Sequence, residues 1–197
     1  MNGPDGDAQD AQDMSRLVNG HEAALSELMD RHAERLFHYL VRALQNEDDA
    51  ADLAQESFVR VYQNRAKFET SQKFTVWLYA IASNLVKDRY RWRSRHPQSS
   101  LDAENEETGA NLEDNLRDSK LGPDETLQQE ESAEAVRNAI ATLPEELREP
   151  LILSVYQELS QAEIAQILKC SAKAVETRIY RARQQLRGSL GSLFASP

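Results

Sequence analysis

An all-α fold of two small helical domains, joined by a flexible acidic linker and with a helix-turn-helix in the second, is predicted by three features of this sequence. Apolar residues recur at three- and four-residue spacing over long stretches, Gly and Pro are sparse within those stretches, and one central segment concentrates the negative charge. At 197 residues the chain exceeds the usual single-domain length, so each core is modest.

The opening residues, Met1-Asn-Gly-Pro-Asp-Gly-Asp, lack the basic start and apolar stretch of a signal peptide, and residues 1–12 are expected to form a disordered tail. No apolar run approaches the ~20 residues that span a bilayer, so a cytoplasmic location is expected. The first domain is placed at 13–96. A short helix starts at Asp13 and stops at Asn19-Gly20; Leu25, Leu28, Met29, Leu36, Tyr39, Leu40 and Leu44 then mark a long amphipathic helix from about His21 to Leu44. A third helix begins near Asp48, with Ala51, Ala54, Phe58, Val61 and Tyr62 inward and Asp52, Gln55 and Glu56 on the polar side. Asp52 and Glu56 stand one turn apart. For this acidic face the residues leave two readings, a solvated surface and a docking surface for a basic partner.

The next helix begins around Lys73 and carries Phe74, Val76, Trp77, Leu78, Ile81, Ala82, Leu85 and Val86 as its apolar band. Beyond Asn84 it turns basic, with Lys87, Arg89, Arg91, Arg93 and Arg95 against Asp88. Trp77, Tyr79, Tyr90 and Trp92 interleave with these cations, the composition of a single-strand site in which rings stack on unpaired bases and cations follow the phosphates. Trp77 serves equally well as core, whereas Trp92 is expected near the surface.

A net charge of −10 looks wrong for a nucleic-acid binder until it is divided along the chain. Residues 102–134 hold twelve acids against Arg117 and Lys120 and account for the whole of it, leaving two basic patches on either side. Pro97, Gly109 and Gly122-Pro123 punctuate this stretch, so the linker is placed at 97–123. It reads as a solvated spacer, with shielding of the basic patches as the sharper reading.

The second domain is placed at 124–190, followed by a tail at 191–197. Ile164, Ala165 and Leu168 fall at helical spacing, Lys169-Cys170-Ser171 break it, and Val175, Ile179, Ala182 and Leu186 resume it, so two helices pack across a tight turn. Lys173, Thr177, Arg178, Tyr180, Arg181 and Arg183 project from the second helix and offer charges to phosphates and donors to major-groove base edges. Cys170 is the only cysteine and excludes an internal disulfide; His21, His32, His38 and His96 show no metal spacing. No metal or cofactor is expected, and no nucleophile elbow or Gly-rich phosphate loop suggests an enzyme.

Together these segments resemble the compact two-domain bacterial sigma factors of the extracytoplasmic-function group, in the sigma-70 superfamily. Asp49-Ala-Ala-Asp-Leu-Ala-Gln-Glu-Ser-Phe58 resembles the helix with which they grip core RNA polymerase. Trp77-Leu-Tyr-Ala-Ile-Ala-Ser-Asn-Leu-Val-Lys-Asp-Arg89 resembles their promoter-opening and −10-reading helix, and Leu143-Pro-Glu-Glu-Leu-Arg-Glu-Pro-Leu through Arg183 resembles their −35-reading domain. The resemblance implies that Asp52, Gln55 and Glu56 contact the β′ clamp helices of the polymerase, with Leu53 and Phe58 holding that helix in place and the second domain meeting the β flap. It implies that Asn84 reads a flipped −10 base, helped by Phe68, Lys73 and Trp77, while Lys87, Arg89, Arg91 and Arg93 hold the opened strands. It places Thr177, Tyr180, Arg181 and Arg183 in the −35 major groove and Lys173 and Arg178 on phosphates. Glu176 departs from the basic residue many members have there. The implied partners are core RNA polymerase, promoter DNA and an anti-sigma factor that is often membrane-bound, with the chain a monomer when free. The competing reading is a homodimeric helix-turn-helix regulator that acts without polymerase.

Overall fold

The structure, a computed structural model, describes residues 4–96 and 133–191, and these are helical throughout apart from short turns. In order they form α1 (Pro4–Val18), α2 (Ala23–Leu44), α3 (Glu47–Asn64), a 3₁₀ turn (Arg65–Lys67), α4 (Phe74–Arg95), α5 (133–141), α6 (Glu145–Val155), α7 (Gln161–Leu168) and α8 (Ala172–Leu190). The expected linker lies outside the described residues. Among those residues no helix is long and apolar enough to cross a membrane.

The expected tail at 1–12 is corrected: helix begins at Pro4, and Asp10 and Asp13 are fully buried. Their charges are matched from α2, where Arg31 donates to Asp10 (3.0 Å) and Asp13 (2.5 Å) and His32 Nε2 lies 2.8 Å from the other Asp10 oxygen. Met14 and Leu17, one turn on, are buried too. A buried carboxylate is tolerated only with such partners, and removing one member strands the rest. Asp10→Ala is therefore expected to destabilise the protein by about 3 kcal/mol, seen as a fall of about 10 °C in the midpoint of thermal unfolding.

Sequence-encoded stops and starts set the other boundaries. Gly20 takes a positive φ of 89°, a left-handed turn that glycine adopts freely and that ends α1. Asn46 caps α3 by accepting from Asp49 N at 2.7 Å, and Glu47, Asp48 and Asp49 complement the positive end of the helix dipole. Ser160 and Glu163 form a reciprocal capping box on α7, Lys169 turns left-handed at its end, and Ser171 caps α8, which makes the expected turn.

Leu28, Leu36, Tyr39 and Leu40 of α2, Leu53, Phe58 and Val61 of α3, and Phe74, Leu78 and Val86 of α4 form the core of the first half. Ala51 departs from the expected inward set: it is exposed, and Ala50, Leu53 and Ser57 take the inward positions instead. In the second half Leu147, Ile152, Leu153, Ile164, Ile167, Val175 and Ile179 close a smaller core.

The two halves pack directly on each other, α6 against α2 and α7 against α4. Tyr39 Oη donates to Glu149 Oε1 (2.8 Å) and Tyr79 Oη to Gln157 Oε1 (2.6 Å), both buried. Arg148 donates to Ala43 O and Tyr90 Oη on one side and to Ala141 O and Leu143 O on the other. The Arg42 guanidinium lies over the Tyr156 ring, 4.1 Å from its centroid. Burial pushes the Glu149 carboxyl above its ordinary range, opposed by the hydrogen bond from Tyr39 and by the nearby cations Lys87 and Arg178.

Candidate polymerase-binding and nucleic-acid-binding surfaces

Three surfaces carry the residues singled out above. On α3, Leu53 and Phe58 are buried and anchor the helix, while Asp52 and Gln55 are exposed on the opposite side. Glu56 is half-buried and accepts from Arg60 Nε at 2.9 Å. The arrangement is an acidic strip on a rigid helix, suited to basic partner residues without any rearrangement of the fold.

The second surface joins α3 to α4. Trp77 and Asn84 line an open depression with Ile81, and Arg60, Asn64 and Lys67 complete its rim. The last three escaped the sequence reading, although the i,i+4 spacing of Arg60 and Asn64 and the basic 3₁₀ turn after them are visible signals. Trp77 is half-buried; its ring packs on Phe68, centroid to centroid 5.2 Å, which in turn meets Phe74. Asn84 Nδ2 donates to Ala80 O of its own helix at 2.8 Å. The depression thus offers an aromatic wall, an amide and three polar or cationic side chains, the components needed to receive an unstacked base.

Along the rest of α4 the aromatics divide. Trp92 is exposed at 44%, but Tyr79 is buried and bonded to Gln157, and half-buried Tyr90 donates to Ala43 O. These two tyrosines, read as single-strand stacking residues, are corrected to packing and interface residues. The cations divide as well: Arg91 is exposed and Lys87 is half-buried in the cleft beside Glu145 and Glu149, whereas Arg89 and Arg93 both reach the Asp49 carboxylate on α3. Lys73, at the start of α4, is paired across the two halves with Glu163 (3.0 Å) and with Asp7 (3.4 Å), and these carboxylates raise its pKa.

The third surface is the outer side of α8. Val175, Ile179 and Ala182 are buried beneath it, and Lys173, Tyr180, Arg181 and Arg183 are exposed, Tyr180 at 63%. Thr177 Oγ1 donates back to Lys173 O, and Lys173 Nζ reaches Glu176 at 2.9 Å. Gln184, absent from the sequence reading, extends the row one turn beyond Tyr180 and donates to its hydroxyl at 3.1 Å. Arg178 differs from its neighbours: it is half-buried, lies 3.7 Å from Cys170 Sγ, and lines a cleft with Lys87, Glu145 and Glu149.

Residues 28–96 match the Sigma-70 region 2 family and residues 133–186 match Sigma-70, region 4. The chain is 33% identical over 181 residues to the ECF RNA polymerase sigma factor SigW of Bacillus subtilis, covering 91% of this chain and 96% of that protein. It is 31% identical over 185 residues to the RNA polymerase sigma-H factor of Pseudomonas aeruginosa, covering 94% and 95% respectively. Among solved structures, CnrH in complex with the cytosolic domain of CnrY superposes with a TM-score of 0.67 at 26% identity, covering 93% of this chain and 98% of that one. The acidic α3 strip, the α4 depression and the α8 row therefore sit within matched regions, in the order in which they occur there, and the chain belongs to the extracytoplasmic-function sigma factors of the sigma-70 family.

Proposed function

We propose that this chain binds core RNA polymerase and directs promoter-specific initiation, working in the cytoplasm as an initiation factor and leaving catalysis to the polymerase. The observation that carries the reading is the presence, on one chain, of a largely exposed acidic strip on α3, an aromatic-and-amide depression on α4 and an exposed polar row on a helix-turn-helix. Asp52, Gln55 and Glu56 dock on the polymerase clamp. A −10 base leaves the duplex and enters the depression, where Trp77 offers stacking and Asn84 a hydrogen bond, and Lys87 and Arg91 follow the strand. Thr177, Tyr180 and Arg181 face the −35 groove, with Arg183 on its flank and Lys173 on the phosphates beside it.

The regulator reading needs a homodimer and leaves the α3 strip unexplained. Size-exclusion chromatography of the purified protein with sigma-free core polymerase separates the two. A monomer that elutes with core at one to one supports the sigma reading; a homodimer that ignores core overturns it.

On α8 the roles predict different signatures. Arg181→Ala is expected to cost about 1–3 kcal/mol at a promoter and to relax preference at a single base pair. Lys173→Ala should weaken all promoters alike and reduce the slope of log K against log salt by about 0.9. Binding isotherms across a set of −35 variants at several salt concentrations check both.

The packing of the halves bears on control. Elements named −10 and −35 lie roughly 25 base pairs, or about 85 Å, apart. Helix α4 is about 33 Å long and α8 about 29 Å, and the 3.0 Å Lys73–Glu163 pair holds the helix-turn-helix against α4. Both elements cannot be read at once in this arrangement, so α6–α8 swing away from α2 and α4 when the polymerase binds. An inhibitory protein that favours the closed arrangement is the matching form of control.

A further inference from the structure

Asp49 has been given no part in docking or in DNA contact, yet it is the most heavily engaged carboxylate on α3. It is the third residue of the helix, its N–H is held by the Asn46 cap, and its side chain is 15% exposed. One oxygen accepts from Arg89 Nη1 and the other from Arg93 Nη2; Arg93 also approaches Leu44 O at 3.4 Å. Arg89 and Arg93 stand four residues apart and share a face of α4, while Arg91 and Arg95, also four apart, share another. Arg91 is 70% exposed and, among the described residues, pairs only with Asp88 on the neighbouring turn. A basic run that looks uniform in sequence is therefore split in two, with alternate arginines turned inward onto a single carboxylate of the polymerase-facing helix.

We infer that Asp49 is a positioning residue for promoter recognition: by holding Arg89 and Arg93 on α3 it aims Lys87, Arg91 and Arg95 at the opened strand. At the same time it withholds two cations from indiscriminate phosphate binding. The strand-holding role attached to Arg89 and Arg93 by family resemblance passes to their outward neighbours. This inference rests on the proposed function for the identity of the strand, but the geometry of the clamp does not.

The two effects have opposite signs, which sets them apart from loss of fold. In Asp49→Asn, a near-isosteric change that removes the charge, Arg89 and Arg93 are released. Binding of the full chain to an oligothymidine about 20 nucleotides long is expected to tighten about three- to tenfold at low salt, and the slope of log K against log salt to steepen by about 0.7 for each freed cation that finds a phosphate. Promoter-specific initiation with core polymerase is expected to fall about tenfold, with capture of core unchanged. In Asp49→Asn/Arg89→Gln/Arg93→Gln, oligothymidine binding should return to the native level. The oligothymidine measurement needs no polymerase, so it decides the role of Asp49 even if core capture by the native chain fails and removes the sigma reading. Unchanged binding in Asp49→Asn, or binding and thermal midpoint falling together, would overturn the proposal.

Discussion

Replacing Asp52 and Glu56 together by alanine is expected to lower the affinity for core polymerase by on the order of a hundredfold while leaving the fold intact. The first half of this expectation follows from charge-assisted contacts, each typically about 1.5–3 kcal/mol when both partners are held in place, so two of them exceed a hundredfold in binding. The second half follows from what the carboxylates do in the free chain. Asp52 is exposed with no side-chain partner among the described residues, and Glu56 makes a part-exposed i,i+4 pair with Arg60 of the kind worth about 0.3–0.5 kcal/mol. Two carboxylates that contribute so little to stability in isolation differ sharply from Asp10, whose loss damages the fold. Titration of labelled protein with core, alongside thermal melts, checks both. Equal loss of affinity and stability would return the α3 strip to a structural role.

Glu149→Arg is expected to open the molecule. Glu149 sits at the junction of the halves, 4% exposed, with Tyr39 Oη donating to it and with Lys87 and Arg178 in the adjoining cleft. An arginine there is a buried cation facing two others, and breaking such a site costs about 3–5 kcal/mol, more than the hydrogen bonds of the junction return. Small-angle scattering should report a larger radius of gyration, and the free chain should bind duplex −35 DNA more tightly because Arg178 is released from the junction cleft. An unchanged radius would contradict the switch from closed to open.

The same carboxyl gives the junction a pH dependence. Burial raises the Glu149 pKa in the closed form, and burial together with Glu149 raises that of Glu145. The closed form thus holds more protons than the open one, so closure is favoured below the ordinary carboxylate pKa and weakens as pH rises through the raised values. Glu163 acts oppositely: burial would raise it, but hydrogen bonds from Ser160 and Lys73 override this and lower its pKa, so its support for closure is lost only in stronger acid. Scattering from acidic to basic pH is therefore expected to show expansion on the basic side, reduced in Glu149→Gln.

Much of the chain was legible from local rules. The breaks at Asn19-Gly20 and Lys169-Cys170-Ser171 each act within a few residues, and α1 ends and α7 gives way to α8 where those signals put them. What was not legible depends on partners far along the chain. The aspartates of α1 read as a polar tail because Arg31 and His32, which neutralise two of them, are about twenty residues away. Tyr79 and Tyr90 read as stacking rings because their acceptors, Gln157 and Ala43 O, lie 78 and 47 positions off. Arg89 and Arg93 were indistinguishable from Arg91 until Asp49 was seen to hold them. Periodicity reports which side of a helix is buried; it does not report which charged groups meet across helices.

Reconstituted transcription tests the central claim most directly. Purified protein, sigma-free bacterial core polymerase and a pool of genomic promoter fragments are combined, and the native chain is compared with Asp52→Ala/Glu56→Ala. Discrete start sites, each preceded by a shared pair of −35 and −10 sequences and strongly weakened in the variant, are expected. Absence of initiation by the native chain under conditions in which it binds DNA sequence-specifically as a dimer would contradict the sigma reading.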